Sequence, residues 1–330
     1  MLILPVVLAV ITPWHWAGFT AFVLFALALD LGVFHRDCRK TTFREAMGWT
    51  ALWAASAFVF AFWVAPRVID GWDAGHTATF VTGYLVELSL SMDNVFVIAL
   101  VFRYFAVPQE WQHRVLFWGI VGALVMRGLM IALGATLIQE FHWMLYVFGA
   151  FLVYSGAKMM FAGDDAITVE PDKNPAVKLV RRFFPVSPSF DGQNFVTRHE
   201  GRRMLTPLAL VLVVVETTDV VFALDSIPAI FGVTSDAFLV FTSNVFAILG
   251  LRSLYFVLAS AMGYFRLLKH GLSLVLVFIG VKMLAEHRLK AWMGDSLMNV
   301  SLGIVLGIIL LSVLASLVLA WRERPGKERG

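Results

Sequence analysis

Cysteine and charge are the two things this sequence has least of. The single cysteine, Cys38, stands in a basic stretch between two apolar runs, so no disulfide framework and no thiolate metal site is expected. Charged residues make up only 15% of the 330, against 59% hydrophobic, with a mean hydropathy of +0.80. That balance excludes an ordinary soluble domain. No Gly-x-x-x-x-Gly-Lys-Ser/Thr sequence occurs, so an ATP-driven mechanism lacks its phosphate cradle. The eight histidines fall in loops or at the ends of apolar runs, and none is assigned a metal role. The first twelve residues are apolar but have neither a basic start nor a small-residue cleavage site, and Pro13, Trp14 and Trp16 follow them. They read as an interfacial lead-in, not as a secretory signal.

What the chain has in abundance is long apolar runs. About 20 helical residues cross a hydrocarbon core of roughly 30 Å, and nine runs of about that length appear at 17–35, 46–66, 78–102, 115–138, 143–162, 206–231, 237–260, 268–285 and 296–321. Lipid offers the backbone no hydrogen-bond partners, and these runs lack the alternation of barrel strands, so they are predicted helices. The fold class is therefore all-α: a polytopic membrane helix bundle of about nine transmembrane helices.

Lysine and arginine set the orientation. Nineteen fall on the side of the bundle that holds the 36–44 loop, the 163–205 loop and the tail, and three (Arg67, Arg288, Lys290) fall on the other. The N-terminus is thus expected outside and the C-terminus in the cytoplasm. The net charge of +3 follows from this topology and calls for no nucleic-acid partner.

The four remaining basic residues, Arg127, Lys158, Arg252 and Lys282, lie within spans and form two matched pairs. Val-Tyr-Ser-Gly-Ala-Lys-Met at 153–159 reappears as Val-Phe-Ile-Gly-Val-Lys-Met at 277–283, and Arg127 matches Arg252 at nearly the same offset. Upstream, Glu87 and Asp93 match Asp219 and Asp225, both pairs six residues apart. Each repeat holds three spans, an odd number, so the two copies run in opposite directions through the membrane. Such inverted repeats commonly place a transporter's substrate site near the midplane. The organisation expected is an N-terminal two-helix segment (1–77), repeat 1 (78–162), a cytoplasmic loop (163–205), repeat 2 (206–285), and a final helix with a basic cytoplasmic tail (286–330). Within the loop, Ala176 to Phe184 reads as a basic amphipathic helix and Phe195 to Leu205 as a hairpin turning at Glu200-Gly201.

The chemistry lies in the first helix of each repeat. An ionised carboxylate in a membrane costs roughly 2.5 to 3.5 kcal/mol on insertion scales, yet Glu87, Asp93, Glu216, Asp219 and Asp225 all fall there. They need cationic partners or a wet path. A hard divalent ion suits such oxygens, and Asn94, Ser89, Ser91, Ser226, Thr217 and Thr218 stand beside them. Residues six apart on a straight helix are turned by about 120° after whole turns are removed, so the acids of one helix do not share a face. Pro228 is expected to break or kink the sixth span and free carbonyls as further ligands. Arg127 and Arg252 either balance the charge of the acids or anchor near helix ends. Lys158 and Lys282, near span ends, read as snorkelling residues.

Three stretches carry a resemblance. Glu87 to Val97 (ELSLSMDNVFV), Glu216 to Phe231 (ETTDVVFALDSIPAIF) and Thr242 to Arg252 (TSNVFAILGLR) resemble the TerC/Alx family of bacterial membrane proteins in the LysE-type transporter superfamily, above all its Alx-like manganese exporters. The chain departs from the family pattern at Leu88, where a lysine is usual. The resemblance implies metal-ion homeostasis, notably manganese efflux, and tellurium resistance. It further implies a bacterial inner-membrane location and an ion path lined by Glu87, Asp93, Glu216, Asp219 and Asp225, with Asn94 beside them. Mn2+ would be a transported substrate and not a prosthetic group, with H+ or Na+ as counter-ion. Two other classes compete: an exporter of amino acids or small organic cations, and an intramembrane aspartyl protease. The acid-rich segments argue against the first, and the missing Gly-x-Gly-Asp argues against the second. A non-enzymatic exporter is the reading the sequence favours.

Overall fold

Helix start signals stand at the head of several apolar runs. The computed structural model describes residues 10–34, 42–141, 143–161, 174–199, 202–259, 268–293 and 296–322. Helix α1 (Pro13–Phe34) opens on a proline, whose missing N–H is unneeded in a first turn. In α2 (Phe43–Val59) the Thr42 hydroxyl accepts from the Glu45 amide. Its continuation passes through a π-helical turn (Phe60–Val64) into α3 (Ala65–Val68). The widened turn sits directly before Pro66, whose ring crowds the carbonyl four residues back. Helix α4 (Ala74–Tyr104) begins at Asp73, whose side chain and that of His76 each bond the other's backbone amide, a capping box.

Helices α5 (Gln109–Glu140) and α6 (Met144–Phe161) complete the first half. A short helix α7 (Pro175–Phe183) and the antiparallel hairpin β1 (Val196–His199) and β2 (Arg202–Leu205) follow. The hairpin is where the sequence placed it, although its turn residues Glu200 and Gly201 lie outside the described residues. The second half comprises α8 (Pro207–Phe231), α9 (Ala237–Leu249), α10 (Leu251–Ala259) and α11 (Leu268–Leu284). Helices α12 (Glu286–Met293) and α13 (Ser296–Arg322) end the fold.

Each of the nine expected spans coincides with a helix or a helix pair. Among the described residues, five helices are long and apolar enough to cross a membrane, and α9 with α10, bent by 46°, makes a sixth when the pair is counted as one span. Helix α8 runs through Pro228 without interruption, which corrects the break expected there. The proline lies in the last turn, where losing one backbone bond leaves few turns to disturb. The break falls at Gly250 instead, between α9 and α10.

Packing follows an exchange pattern: α4 lies against α9 as α8 lies against α5, while α6 pairs with α11. A Cβ on Gly156 would come within 2.8 Å of the Ser273 carbonyl oxygen and 2.9 Å of Val277. One on Gly280 would come within 2.6 Å of the Gly149 carbonyl oxygen and 2.8 Å of Val153. Under the matched offset, Gly156 corresponds to Gly280, Val277 to Val153 and Ser273 to Gly149. The two contacts are one contact with the halves exchanged. Lys282 donates to the Gly232 carbonyl at 3.2 Å, in keeping with a structural role.

Two apolar clusters occupy opposite ends of α4. One gathers Phe19, Trp72, Phe80, Tyr84 and Phe246. The other gathers Val95, Phe102, Val115, Leu208, Val211 and Tyr255, with Val177 of α7. Between them α4 carries a buried polar band of Glu87, Ser89, Ser91 and Asn94.

Candidate functional site

Four helices bring the polar band together. Glu87 and Asn94 come from α4, Arg127 from α5, Asp219 from α8 and Asn244 from α9. Seven residues are about 1.95 turns of helix, so Glu87 and Asn94 share the α4 face turned toward α5, α8 and α9. The five residues are 0 to 4% exposed.

The Arg127 guanidinium stands between two carboxylates. Its Nη1 donates to Glu87 Oε1, while Nη2 donates to Asp219 Oδ1 at 2.9 Å and Nε to Asp219 Oδ2 at 3.3 Å. The Asp219 pair is thus two-pronged, the strong geometry for a guanidinium and a carboxylate. Amides complete the shell: Asn94 Nδ2 donates to Asp219 Oδ1 at 2.7 Å and Asn244 Nδ2 to Glu87 Oε2 at 2.9 Å. The Ser91 hydroxyl donates to Glu87 Oε1 at 3.3 Å. Each acid accepts three hydrogen bonds, yet Oδ1 of Asn94 and Oδ1 of Asn244 are buried without a hydrogen-bond partner among the described residues. Asn94, Asp219 and Arg252 line a narrow cavity of about 10 Å³ beside this group, on the order of one water molecule.

The other expected site residues lie apart. Glu216 is half-buried one turn from Asp219, its carboxylate where a side chain at Gly122 of α5 would stand. Asp225 faces α6 and accepts from the Ser155 hydroxyl at 2.8 Å. Along α8 the three acids are therefore spaced by about 4.5 Å and about 9 Å and turn to different neighbours. Asp93 lies in α4, but its side chain is outside the described residues. Among the described residues no group of three or more His, Cys, Asp or Glu converges to hold a metal. The hydroxyls of Ser89, Thr217 and Thr218 donate to carbonyls of their own helices. Ser226 Oγ is buried without a partner.

Sequence reasoning paired acids with acids and overlooked the neutral partners Asn244 and Gly122. Asn244 had a signal: an amide inside an otherwise apolar run is expensive unless it is bonded. Gly122 had none, because its role depends on which residue of α8 it faces.

This chain matches the model of the integral membrane protein TerC family over residues 72–324. It is 47% identical to an uncharacterized membrane protein, STKORF319, of Myxococcus xanthus, covering 93% of both chains. It is 43% identical to a "putative membrane-bound redox modulator Alx" of Escherichia coli strain K12, over 97% of this chain and 98% of that one. An uncharacterized membrane protein of Rickettsia bellii is 34% identical over 92% of this chain and 97% of its own. No solved structure matches the chain. With the apolar helix bundle and the family match over most of its length, this is a bacterial multi-pass membrane protein that belongs to the TerC family of integral membrane proteins.

Proposed function

We propose that this protein exports divalent metal ions, manganese first among them, by ion-coupled alternating access between two inverted three-helix halves. One observation carries the reading: a buried carboxylate from the first helix of each half, Glu87 and Asp219, meets its partner across a single guanidinium. Substrate sites of inverted-repeat transporters lie at such junctions. The exchanged glycine contacts of α6 and α11 support the two-fold relation.

In this reading nine helices cross the membrane, with the N-terminus outside and the C-terminus in the cytoplasm. Glu216 and Asp225 flank the central pair along α8 as stations on either side of it, and Asp93, the repeat mate of Asp225, joins them from α4. A path lined by five acids carries more negative charge than one divalent ion balances, so protons or sodium are taken up as metal leaves. A direct redox activity, as in the printed name of the Alx relatives, would have one thiol to work with, Cys38. It would also leave the buried acids without a purpose.

Uptake of Mn2+ into inside-out vesicles tests the proposal, with wild type compared at matched expression with Glu87→Gln, Asp93→Asn, Asp219→Asn and Asp225→Asn. The expected outcome is uptake by wild type that depends on pH or sodium and is lost in the Glu87 and Asp219 variants. A wild type that moves no divalent ion, or variants that transport normally, would overturn it.

A further inference from the structure

We propose that Arg127 is a tethered surrogate for the transported cation: its guanidinium holds the place of the divalent ion between Glu87 and Asp219 and leaves when the ion enters. This rests on the exporter reading and names the competitor at the same site.

Three observations converge on it. The first is position. Arg127 is 2% exposed and is the cation that touches both carboxylates, one from each half. The second is charge. Two carboxylates and one guanidinium sum to one negative charge, whereas the carboxylates alone carry two, which a divalent ion neutralises. A buried pair of carboxylates left with no cation is costly, so whatever departs has to be replaced.

The third is the orientation of the two amides. Asn94 and Asn244 each turn Nδ2 to a carboxylate and leave Oδ1 buried with no donor among the described residues. A purely structural ion pair has no use for two orphaned amide oxygens, and buried polar groups are nearly always bonded. A half-turn of each amide exchanges its nitrogen and oxygen. With the guanidinium withdrawn, the site would then present carboxylate oxygens and two amide oxygens, the hard donor set that suits manganese, magnesium or calcium. The orphaned oxygens are the second set of ligands held in reserve. The narrow cavity between Asn94, Asp219 and Arg252 lies against one of these amides and gives it room to turn.

The surrogate has a consequence for the cycle. A carrier that has released its metal returns without it, and even with protons or sodium on the flanking acids, Glu87 and Asp219 left with no cation between them at a closing interface would resist that step. Arg127 offsets one of their two charges and pairs with both during the return. Without it, the loaded carrier can still reorient in both directions, but the empty one is trapped.

The test uses the full chain in detergent and in liposomes, with Mn2+ as the probe. Binding is read from the loss of the free-ion electron paramagnetic resonance signal, and net uptake is measured separately from one-for-one exchange of radioactive for unlabelled Mn2+. For Arg127→Gln we expect Mn2+ to bind at least about tenfold more tightly, a shift of one decade in Kd. Net uptake should fall by a similar factor while exchange persists. Arg127→Lys keeps the charge without the two-pronged geometry and should bind with intermediate affinity and recover part of the net uptake. A merely structural arginine would instead weaken binding and abolish net uptake and exchange together. If wild type transports Mn2+ and folded Arg127→Gln binds it no more tightly, the surrogate is refuted and the exporter reading stands. Wild type that neither binds nor moves a divalent ion refutes the exporter reading itself. Should Arg127→Gln fail to fold, Arg127→Lys decides, since affinity equal to or weaker than wild type would count against the surrogate.

Discussion

Where α6 meets α11, Gly156 and Gly280 let backbone approach backbone, whereas where α4 meets α8 a guanidinium stands between two carboxylates. Both seams join the same two halves. At the glycine seam, contact is dense and apolar, with Leu152, Val275, Leu276 and Ile279 fully or nearly fully buried around it. Close packing of that kind has one good arrangement and resists change. At the charged seam, contact is made by one guanidinium and two side-chain amides, whose partners would, under the proposal above, be exchanged without altering the helices. An exporter of the kind proposed, which must hold together while it trades ions, would need one seam of each kind.

The sharpest way to break the comparison is to remove the exchangeable cation. Arg127→Gln should destabilise the metal-free protein by about 3–5 kcal/mol, the cost of an uncompensated buried charge. Saturating Mn2+ should restore most of it, as read by thermal unfolding in detergent. A loss that no divalent ion reverses would make the charged seam as fixed as the glycine one.

Gly280→Val probes the other seam. Its methyl groups would press on the Gly149 carbonyl oxygen and the Val153 backbone nitrogen, and neither can rotate away. A loss of about 1–3 kcal/mol is expected from overpacking, with Mn2+ affinity unchanged. Equal effects on stability and affinity would show that the seams act as one unit.

A cap far from both seams supplies a reference. The His76 amide donates to Asp73 at 2.9 Å and holds that carboxyl below its ordinary range. Because the folded value is the lower one, the contribution is present in full above about pH 4. It is lost as the pH falls through the lowered value. Asp73→Ala should therefore cost about 1 kcal/mol, checked by unfolding at pH 8. The smallest effect is expected at Gly122→Ala. The added methyl meets only the movable end of Glu216, so stability should stay within about 0.5 kcal/mol of wild type. Mn2+ uptake is the sensitive measurement there, since the Glu216 carboxylate has to shift.

Much of this architecture was legible in the sequence. Runs of apolar residues about 20 long name their own helices, because lipid leaves the backbone no other way to satisfy its hydrogen bonds. Glu87, Asp219 and Arg127 stood out as charges inside such runs, and their paired spacing showed which belonged to which half. The 120° turn between acids six apart was also readable, and it is why Asp225 faces Ser155 of α6 while Asp219 faces Arg127. Pro228 misled, because a proline one turn from a helix end interrupts little.

What the sequence determined by itself is therefore local: helix positions, the hairpin at 195–205 and the presence of costly charge inside apolar runs. The tertiary structure decided which charges meet. That Asn244, 157 residues beyond Glu87, donates to its carboxylate, or that Gly122 leaves room for Glu216, depends on how α4, α5, α8 and α9 are laid side by side. Helical periodicity orients a residue about its own axis, but only packing chooses the neighbour it faces.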